Sequence, residues 1–149
     1  MTDLKAKTFL VVDDDWFTVQ HHIALLEKDG AKVDFMPSLG DAYKHFEQRA
    51  QSGNAPFYDL VLIDLHCPPL PAALKPFHAK EGCTGVNVGQ ALGRYLEDRF
   101  AGKQPYAYLS VVPDGRANAG GDEGKRSVIA KMSDTKFLGE VGEVIAKIN

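Results

Sequence analysis

The chain has 149 residues, of which 44% are hydrophobic, and its formal net charge is −3 at pH 7. This length is typical of one domain with one real core, so we expect a single domain over residues 1–149. Lys and Arg are spread along the chain rather than clustered, which argues against a nucleic-acid partner or an anionic membrane surface. The first apolar run is too short for a signal-peptide core, and no later stretch approaches about 20 apolar residues, so a cytosolic protein is expected.

The first half of the chain predicts two strand–helix units. Thr8–Val12 is a β-branched and aromatic run that ends abruptly in acids, which is typical of a strand buried on both faces. Asp15 can cap the helix that follows, and Gly30 supplies its C-terminal stop. Ala31–Phe35 is a weaker strand, and Ser38 begins a second helix with a pattern that resembles a capping box.

The second half continues the alternation with two irregular stretches. Leu60–Leu65 is another buried strand, with Asp64 at its end, and Pro68–Thr84 after it is much longer than a usual strand-to-helix loop. We expect that insertion to be either a functional flap or a mobile loop. Pro113–Gly124 is rich in Gly and Pro, so the fourth helix should be short, frayed or missing. The other elements are a helix with the apolar stripe Val88–Phe100, strands Tyr106–Val112 and Val128–Ala130, and a terminal helix with Asp134 as its cap.

The alternation of strands and helices favours an α/β fold, a doubly wound parallel sheet. The only cysteines, Cys67 and Cys83, lie in one proline-rich segment without CxxC spacing, so free thiols in a reducing compartment are expected. His66 and His78 lie nearby, but the spacings match no zinc pattern. The His21–His22 pair, in the middle of the first helix, is expected at the surface.

Acidic residues cluster where the predicted strands end. The first strand is followed by Asp13, Asp14 and Asp15, and the third ends in Asp64. Ligands bind at the carboxyl ends of strands in an open parallel sheet. If these two strands are neighbours, three carboxylates converge within a few ångströms and repel one another unless a cation neutralises them. Mg²⁺ is the natural partner, because it takes a few carboxylates and keeps waters and phosphate oxygens as its other ligands.

Such a site can accept a phosphoryl group. One carboxylate can attack phosphorus and form an aspartyl phosphate while the metal screens the incoming anion. Ser110, on the fourth strand, would donate a hydrogen bond to the phosphoryl group, and Lys131, at the end of the fifth, would supply a positive charge. Trp16 and Phe17, just after the acids, should pack against the sheet or shield the rim of the pocket. The pattern therefore predicts a phosphoryl-acceptor site.

Four short motifs, in order at predicted strand ends, carry a resemblance to a known family. They are FLVVDDD at residues 9–15, YDLVLIDLHCP at 58–68, AYLSVV at 107–112 and VIAK at 128–131. Together they resemble the receiver domain of bacterial response regulators over nearly the whole chain. The resemblance implies a CheY-like, flavodoxin-like fold: a five-stranded parallel sheet in the order 2-1-3-4-5 with helices on both faces.

The resemblance also implies roles for individual residues and for partners. It assigns Asp13 and Asp14 as metal-binding acids, Asp64 as phosphoacceptor and metal ligand, Ser110 as the switch hydroxyl, Lys131 as the phosphate-contacting lysine and the backbone carbonyl of His66 as a further Mg²⁺ ligand. The phosphodonor would be a sensor histidine kinase or a phosphotransfer protein, and output would pass to an unidentified protein partner or to a homodimer. Such a domain is a signalling acceptor rather than an enzyme acting on other substrates.

Three positions depart from the family pattern. Met132 stands where a proline usually follows the lysine, Val128 stands at the aromatic switch position, and Val111 stands where a small residue is usual. The sequence thus supports phosphorylation of this chain more strongly than it supports the way in which receivers of this family usually pass the signal to a partner.

Two other functions remain open. The chain could be a degenerate receiver that binds partners without being phosphorylated. Alternatively, Asp13 and Asp15 form a DxD that resembles haloacid-dehalogenase-like phosphatases, although Phe17 stands where that family has threonine or valine, and we identify no match to that family's late acidic pair.

Overall fold

The computed structural model describes residues 4–78, 87–110, 128–130 and 134–148. The elements are β1 (Thr8–Val12), α1 (Trp16–Lys28), β2 (Lys32–Met36), α2 (Leu39–Ser52), β3 (Leu60–Asp64), α3 (Lys75–His78), α4 (Gly89–Arg99), β4 (Tyr106–Ser110), β5 (Val128–Ala130) and α5 (Asp134–Ile148), with a 3-10 turn at Ala72–Leu74. Helix α5 thus begins at Asp134, the residue that the sequence places at its start. None of the described helices is long and apolar enough to cross a membrane.

The five strands form one parallel sheet in the order β2-β1-β3-β4-β5. This order confirms the doubly wound α/β fold and the 2-1-3-4-5 sheet. The register pairs Val12 with Ile63 and Asp64 with Leu109, so β1, β3 and β4 end side by side. The helix expected at 113–124 lies outside the described residues.

Alternate residues of the central strands enter two separate cores. On one face, strand residues pack with α2 and α4, and on the other face they pack with α1 and α5. Val61 and Ile63 belong to the first core, whereas Leu60 and Leu62 belong to the second. Because side chains alternate along a strand, a strand covered on both faces must be apolar at every position. The helices therefore lie on both faces, as the sequence predicted.

Helix α1 begins as the sequence predicted but buries a residue that was expected outside. Asp15 is the N-cap, and its side chain accepts a hydrogen bond of 3.3 Å from the Thr18 backbone N–H. His21 is exposed, but His22 is buried, with its ring edge-on to Phe137 of α5 at 4.6 Å. The surface prediction for His22 was wrong because this residue lies one turn from Val19 and Leu26 on the face that packs on the sheet.

Residues 68–78, which we call the strap, form the described part of the insertion. Leu74 is fully buried, and Leu70 and Phe77 pack against the core of α2 and α4. The Phe77 ring lies edge-on to Tyr95 of α4 at 5.6 Å. The strap is therefore a packed element on α4. Residues 79–84 of the insertion lie outside the described residues.

A polar network joins α2 to β2 and to the start of β3. The Tyr58 hydroxyl donates to Asp34 Oδ2 at 2.9 Å, and His45 Nε2 lies 2.8 Å from the same hydroxyl oxygen. An ionised carboxylate only accepts, so the Tyr58 proton goes to Asp34 and His45 Nε2–H is the donor. Burial and the positive charge of Arg49 lower the pKa of His45, and Asp34 opposes this shift. Burial and the bond to Asp34 raise the pKa of Tyr58.

The lowered pKa of His45 predicts a loss of stability in mild acid. Between the folded and unfolded pKa values of this histidine, the unfolded chain binds more protons, so the free energy of unfolding falls as the pH drops below about 7. The His45→Gln variant keeps a donor for Tyr58 and removes this dependence. We expect its unfolding free energy to fall less than that of the wild type between about pH 7.5 and about pH 5.5. The difference should be below about 1 kcal/mol, because solvent screens a half-exposed ring. Urea unfolding at each pH measures the difference. If the unfolding free energies of the two proteins changed equally with pH, the role assigned to His45 would be contradicted.

Candidate metal and phosphoryl-acceptor site

The sheet register explains why two acids meet at its carboxyl edge. Val12 pairs with Ile63, so the residues that follow, Asp13 and Asp64, are next in the same register. Both acids also lie on the face of the sheet that packs against α1 and α5. Each follows by two residues a strand residue of the core on that face, Val11 in β1 and Leu62 in β3. Two adjacent apolar strands therefore deliver their terminal carboxylates to one point.

Asp13, Asp14 and Asp64 form a compact carboxylate cluster. Each offers a carboxylate oxygen, and these oxygens lie within 4.8 Å of one another. Asp13 is fully buried, Asp64 is 8% exposed and Asp14 is exposed. Among the described residues, this is the one group of three or more His, Cys, Asp or Glu side chains placed to hold a metal ion. The three acids that the sequence predicted to converge do lie together.

Backbone amides hold two of the carboxylates in place. The Asp15 N–H donates to Asp13 Oδ1 at 2.9 Å, and the His66 N–H donates to Asp64 Oδ1 at 3.2 Å. Each bond spans two residues, so the turn after each strand orients the acid that ends it. The backbone itself therefore positions the two buried acids of the cluster.

The cluster suits a hard divalent cation. Its donors are all carboxylate oxygens, which Mg²⁺ prefers, and their mutual repulsion favours a positive ion between them. The exposed Asp14 gives the site an open side, where a bound ion could keep water or phosphate oxygens as ligands. The residues present therefore fit Mg²⁺. His66, Cys67 and His78 do not form a metal-binding group in the described part of the chain, and Cys83 lies outside it.

Cys67 lies beside the cluster but offers no reactive sulfur. Burial raises the pKa of the Cys67 thiol to about 12, with further contributions from the charges of Asp14, Asp64 and Asp13. The backbone N–H of Asp14 donates to the sulfur and opposes this rise. A covered, protonated thiol is a packing group rather than a nucleophile. The described cysteine is free, as the sequence predicted.

Gly89 places the first turn of α4 directly against the strand that ends in Asp64. Its N–H donates to the Leu65 carbonyl at 2.9 Å. A Cβ at this position would lie 2.1 Å from the Asp64 carbonyl oxygen and 3.1 Å from the Leu65 Cα. Only glycine allows this close approach, in which the first turn of α4 packs directly on the backbone of Asp64. This residue was not predicted from the sequence, because no local pattern indicates which strand the start of α4 approaches.

The remaining predicted site residues differ in what the structure shows. Ser110 is buried and follows Leu109, the register partner of Asp64. The His66 side chain is exposed, and its role as a backbone ligand stays a prediction. Lys131 lies outside the described residues, so its role also stays a prediction. Val128 is a buried residue of β5 that packs in the core shared with α2 and α4.

Two aromatic residues flank the cluster on the first turn of α1. Trp16 is 44% exposed and contacts Phe35 edge-on at 5.0 Å. Phe17 is 84% exposed. The expectation that both rings pack on the sheet or cover the rim of the pocket therefore fits Trp16 but not Phe17.

Asp15 serves the helix rather than the cluster. Its carboxylate accepts from the Thr18 N–H and from the Thr18 hydroxyl, the latter at 2.5 Å. It is not a member of the metal-binding group. The DxD arrangement needs this residue as a general acid, so its capping role counts against a phosphatase of that type.

The sequence matches no protein-family model and no curated protein. Solved structures do resemble it. A CheY-like response regulator receiver domain protein from Methanospirillum hungatei aligns with a TM-score of 0.63 and 19% identity, covering 96% of both chains. The non-phosphorylated HemR receiver domain of Leptospira biflexa aligns with a TM-score of 0.62 and 20% identity, covering 94% of both. NtrX from Brucella abortus aligns with a TM-score of 0.64 and 16% identity, over 95% of this chain and 26% of that longer one.

At these identities the likeness establishes the fold. The chain has the fold of CheY-like response regulator receiver domains over nearly its whole length. The resemblance drawn from the sequence motifs is confirmed at that level. In NtrX the matching region is about a quarter of a larger protein, so in that case the fold is one part of a longer chain.

Proposed function

We propose that the chain is a receiver domain that accepts a phosphoryl group on Asp64 in the presence of Mg²⁺. The observation that carries this proposal is the convergence of Asp13, Asp14 and Asp64 within 4.8 Å at the carboxyl edge of a receiver-type sheet. A cluster of like charges is unfavourable by itself, and the fold devotes two adjacent strand ends to it. A cation-dependent reaction at this edge accounts for both facts.

The described residues suggest how the acceptor would work. Asp64 Oδ1 accepts the His66 N–H, so we assign attack on phosphorus to Oδ2. A new P–O bond forms to Asp64, the bond from phosphorus to the donor breaks, and the leaving group departs with the bonding electron pair. Mg²⁺ held by Asp13, Asp14, Asp64 and the His66 carbonyl would offset the negative charge that gathers there.

Two further residues complete the proposed site. The buried Ser110 hydroxyl would donate a hydrogen bond to a phosphoryl oxygen, and Lys131 would place a positive charge on another. We assign the phosphodonor to a sensor histidine kinase or a phosphotransfer protein. The product is a switched state of this chain rather than a released metabolite, so we propose a signalling acceptor and not an enzyme acting on other substrates.

The proposal is tested by incubating the purified chain with acetyl phosphate and Mg²⁺ and measuring its intact mass. We expect the wild type to gain one phosphoryl group that is lost in hydroxylamine, as acyl phosphates are. Asp64→Asn should gain none, because an amide is a far weaker nucleophile than a carboxylate. Omitting Mg²⁺ should abolish the adduct in the wild type.

A matched acid outside the cluster provides the control. Asp98 is exposed on α4, and Asp98→Asn should be phosphorylated as the wild type is. A wild type that binds Mg²⁺ but gains no phosphoryl group from any donor would support the degenerate-receiver alternative. An adduct of the same size on Asp64→Asn would place the acceptor elsewhere and remove the proposal.

A further inference from the structure

A basic cleft lies at the edge of the sheet opposite the acid cluster, between the C-terminal ends of α2 and α4. It consists of two adjoining hollows with volumes of about 220 and 430 Å³, which share Gly53 and Asn54. Arg49 lines one hollow, and Arg99 and Lys103 line the other. The phosphoryl-acceptor site does not involve this region. The cationic side chains of the cleft therefore suit a ligand other than the phosphoryl group.

An aromatic pair fixes the two arginines of the cleft. Phe57 and Phe100 contact each other edge-to-face at 5.4 Å. The Arg49 guanidinium lies 5.4 Å from the centre of the Phe57 ring, and that of Arg99 lies 5.5 Å from the centre of Phe100. A guanidinium stacked on an aromatic face keeps its N–H donors at its edge, available to an oxygen ligand. The pair therefore holds two cations in place at little cost in side-chain entropy.

The charge of the cleft is opposite in sign to that of the whole chain. Three cationic side chains line it, and none of the described lining residues is acidic. One of these cations, Arg99, also donates from Nε to the carboxylate of Glu47 at 3.1 Å. The chain as a whole carries −3. A positive patch on a negative protein attracts an anionic partner and orients its approach.

Stabilisation of the helix ends explains only part of this cluster. Arg49 and Arg99 lie in the last turns of α2 and α4, where a cation offsets the negative end of the helix dipole. Lys103 lies beyond the end of α4, in the connection to β4, and its side chain is exposed. The Phe57–Phe100 pair packs on the core shared with α2 and α4, but neither that core nor the dipole gives a reason for the third charge.

We propose that this cleft binds an acidic segment of a partner protein, with carboxylates at spaced positions along an extended chain. The cations are divided between two adjoining hollows rather than gathered around one point. A compact anion such as phosphate would reach one hollow, whereas an extended segment can reach both. Ser52 and Asn54 line the wider hollow and can bond to the backbone of such a segment. The inference does not depend on Asp64.

The test is a titration of the full isotope-labelled chain with a short glutamate-rich peptide, followed by amide NMR at physiological salt. We expect chemical-shift changes at residues 49–57 and 99–103 and none around Asp64. The double variant Arg49→Gln with Lys103→Gln should weaken binding about tenfold or more. Arg99 is left intact because it also bonds to Glu47.

A second double variant separates local recognition from general attraction. Lys44→Gln with Lys75→Gln removes the same charge from exposed positions that do not line the cleft, and it should bind the peptide as the wild type does. Equal weakening of both double variants would overturn the proposal, and so would shift changes elsewhere or no binding. Saturation of the cleft by inorganic phosphate without binding of the peptide would also overturn it, in favour of a compact-anion site. Thermal unfolding of each variant confirms that it remains folded.

Discussion

An Asp13→Asn variant is expected to lose Mg²⁺ binding and, in the same protein, to be more stable than the wild type in Mg²⁺-free buffer. Asp13 is fully buried, and its ligand oxygen lies within 4.8 Å of those of Asp14 and Asp64. Asparagine removes a charge from this cluster while its carbonyl oxygen still accepts the Asp15 N–H. We expect a gain of about 1 kcal/mol in the free energy of unfolding, the usual exchange of stability for function at a binding site.

The ranking of the two proteins should reverse as Mg²⁺ is added. An ion that binds only the folded wild type raises its stability with ion concentration, and the variant gains nothing. Urea unfolding with and without Mg²⁺ measures the reversal, and the fluorescence of Trp16, next to the cluster, reports binding directly. Asp98→Asn should change neither property. A variant that still binds Mg²⁺, or that is less stable than the wild type without it, would refute the role assigned to Asp13.

A Gly89→Ala variant is expected to lose about 3 kcal/mol of stability, at the upper end of what overpacking by one methyl group costs. The added Cβ would lie 2.1 Å from the Asp64 carbonyl oxygen, a backbone atom that cannot rotate away. Helix α4 must therefore withdraw from β3, and its N–H bond to the Leu65 carbonyl is lost. The shift also moves the Asp64 backbone, so Mg²⁺ affinity should fall in whatever fraction stays folded.

The control is the same substitution where a helix has room. Gly139 lies in α5, and a Cβ there would meet nothing within 4 Å. Gly139→Ala should stabilise the protein by about 0.5–1 kcal/mol, because alanine loses less backbone freedom in a helix. Thermal and urea unfolding compare the two variants. Equal stabilities for Gly89→Ala and the wild type would mean that α4 adapts without cost and that the close approach does not support the site.

The sequence was sufficient to predict the acid cluster because strand ends in a parallel sheet meet by topology alone. Asp13 and Asp64 end two apolar runs, and once those runs are adjacent strands, the register brings the acids together whatever the loops do. The caps of α1 and α2 were equally local, since Asp15 and Ser38 each bond to a backbone N–H three residues on. The acid cluster and the helix caps could be predicted because each follows from a short stretch of sequence that allows only one local geometry.

Features that depend on contacts between distant segments were not predictable in the same way. The close approach of Gly89 to Asp64 requires the path of the insertion, which no local pattern gives. The packed strap was missed because its prolines resemble a loop, although Leu70, Leu74 and Phe77 recur at helical spacing. His22 was missed because a histidine was weighed by residue type rather than by its place on the buried face of α1.

The contact of Cys67 with the cluster has a practical consequence for labelling experiments. Burial raises the pKa of this thiol to about 12, so it stays protonated at neutral pH, and the sulfur is also covered by protein. Maleimide dyes and thiol-reactive spin labels should therefore not react with Cys67. A cysteine engineered at an exposed site such as Ala73 would be labelled in preference to Cys67, without disturbing the sulfur beside the acids.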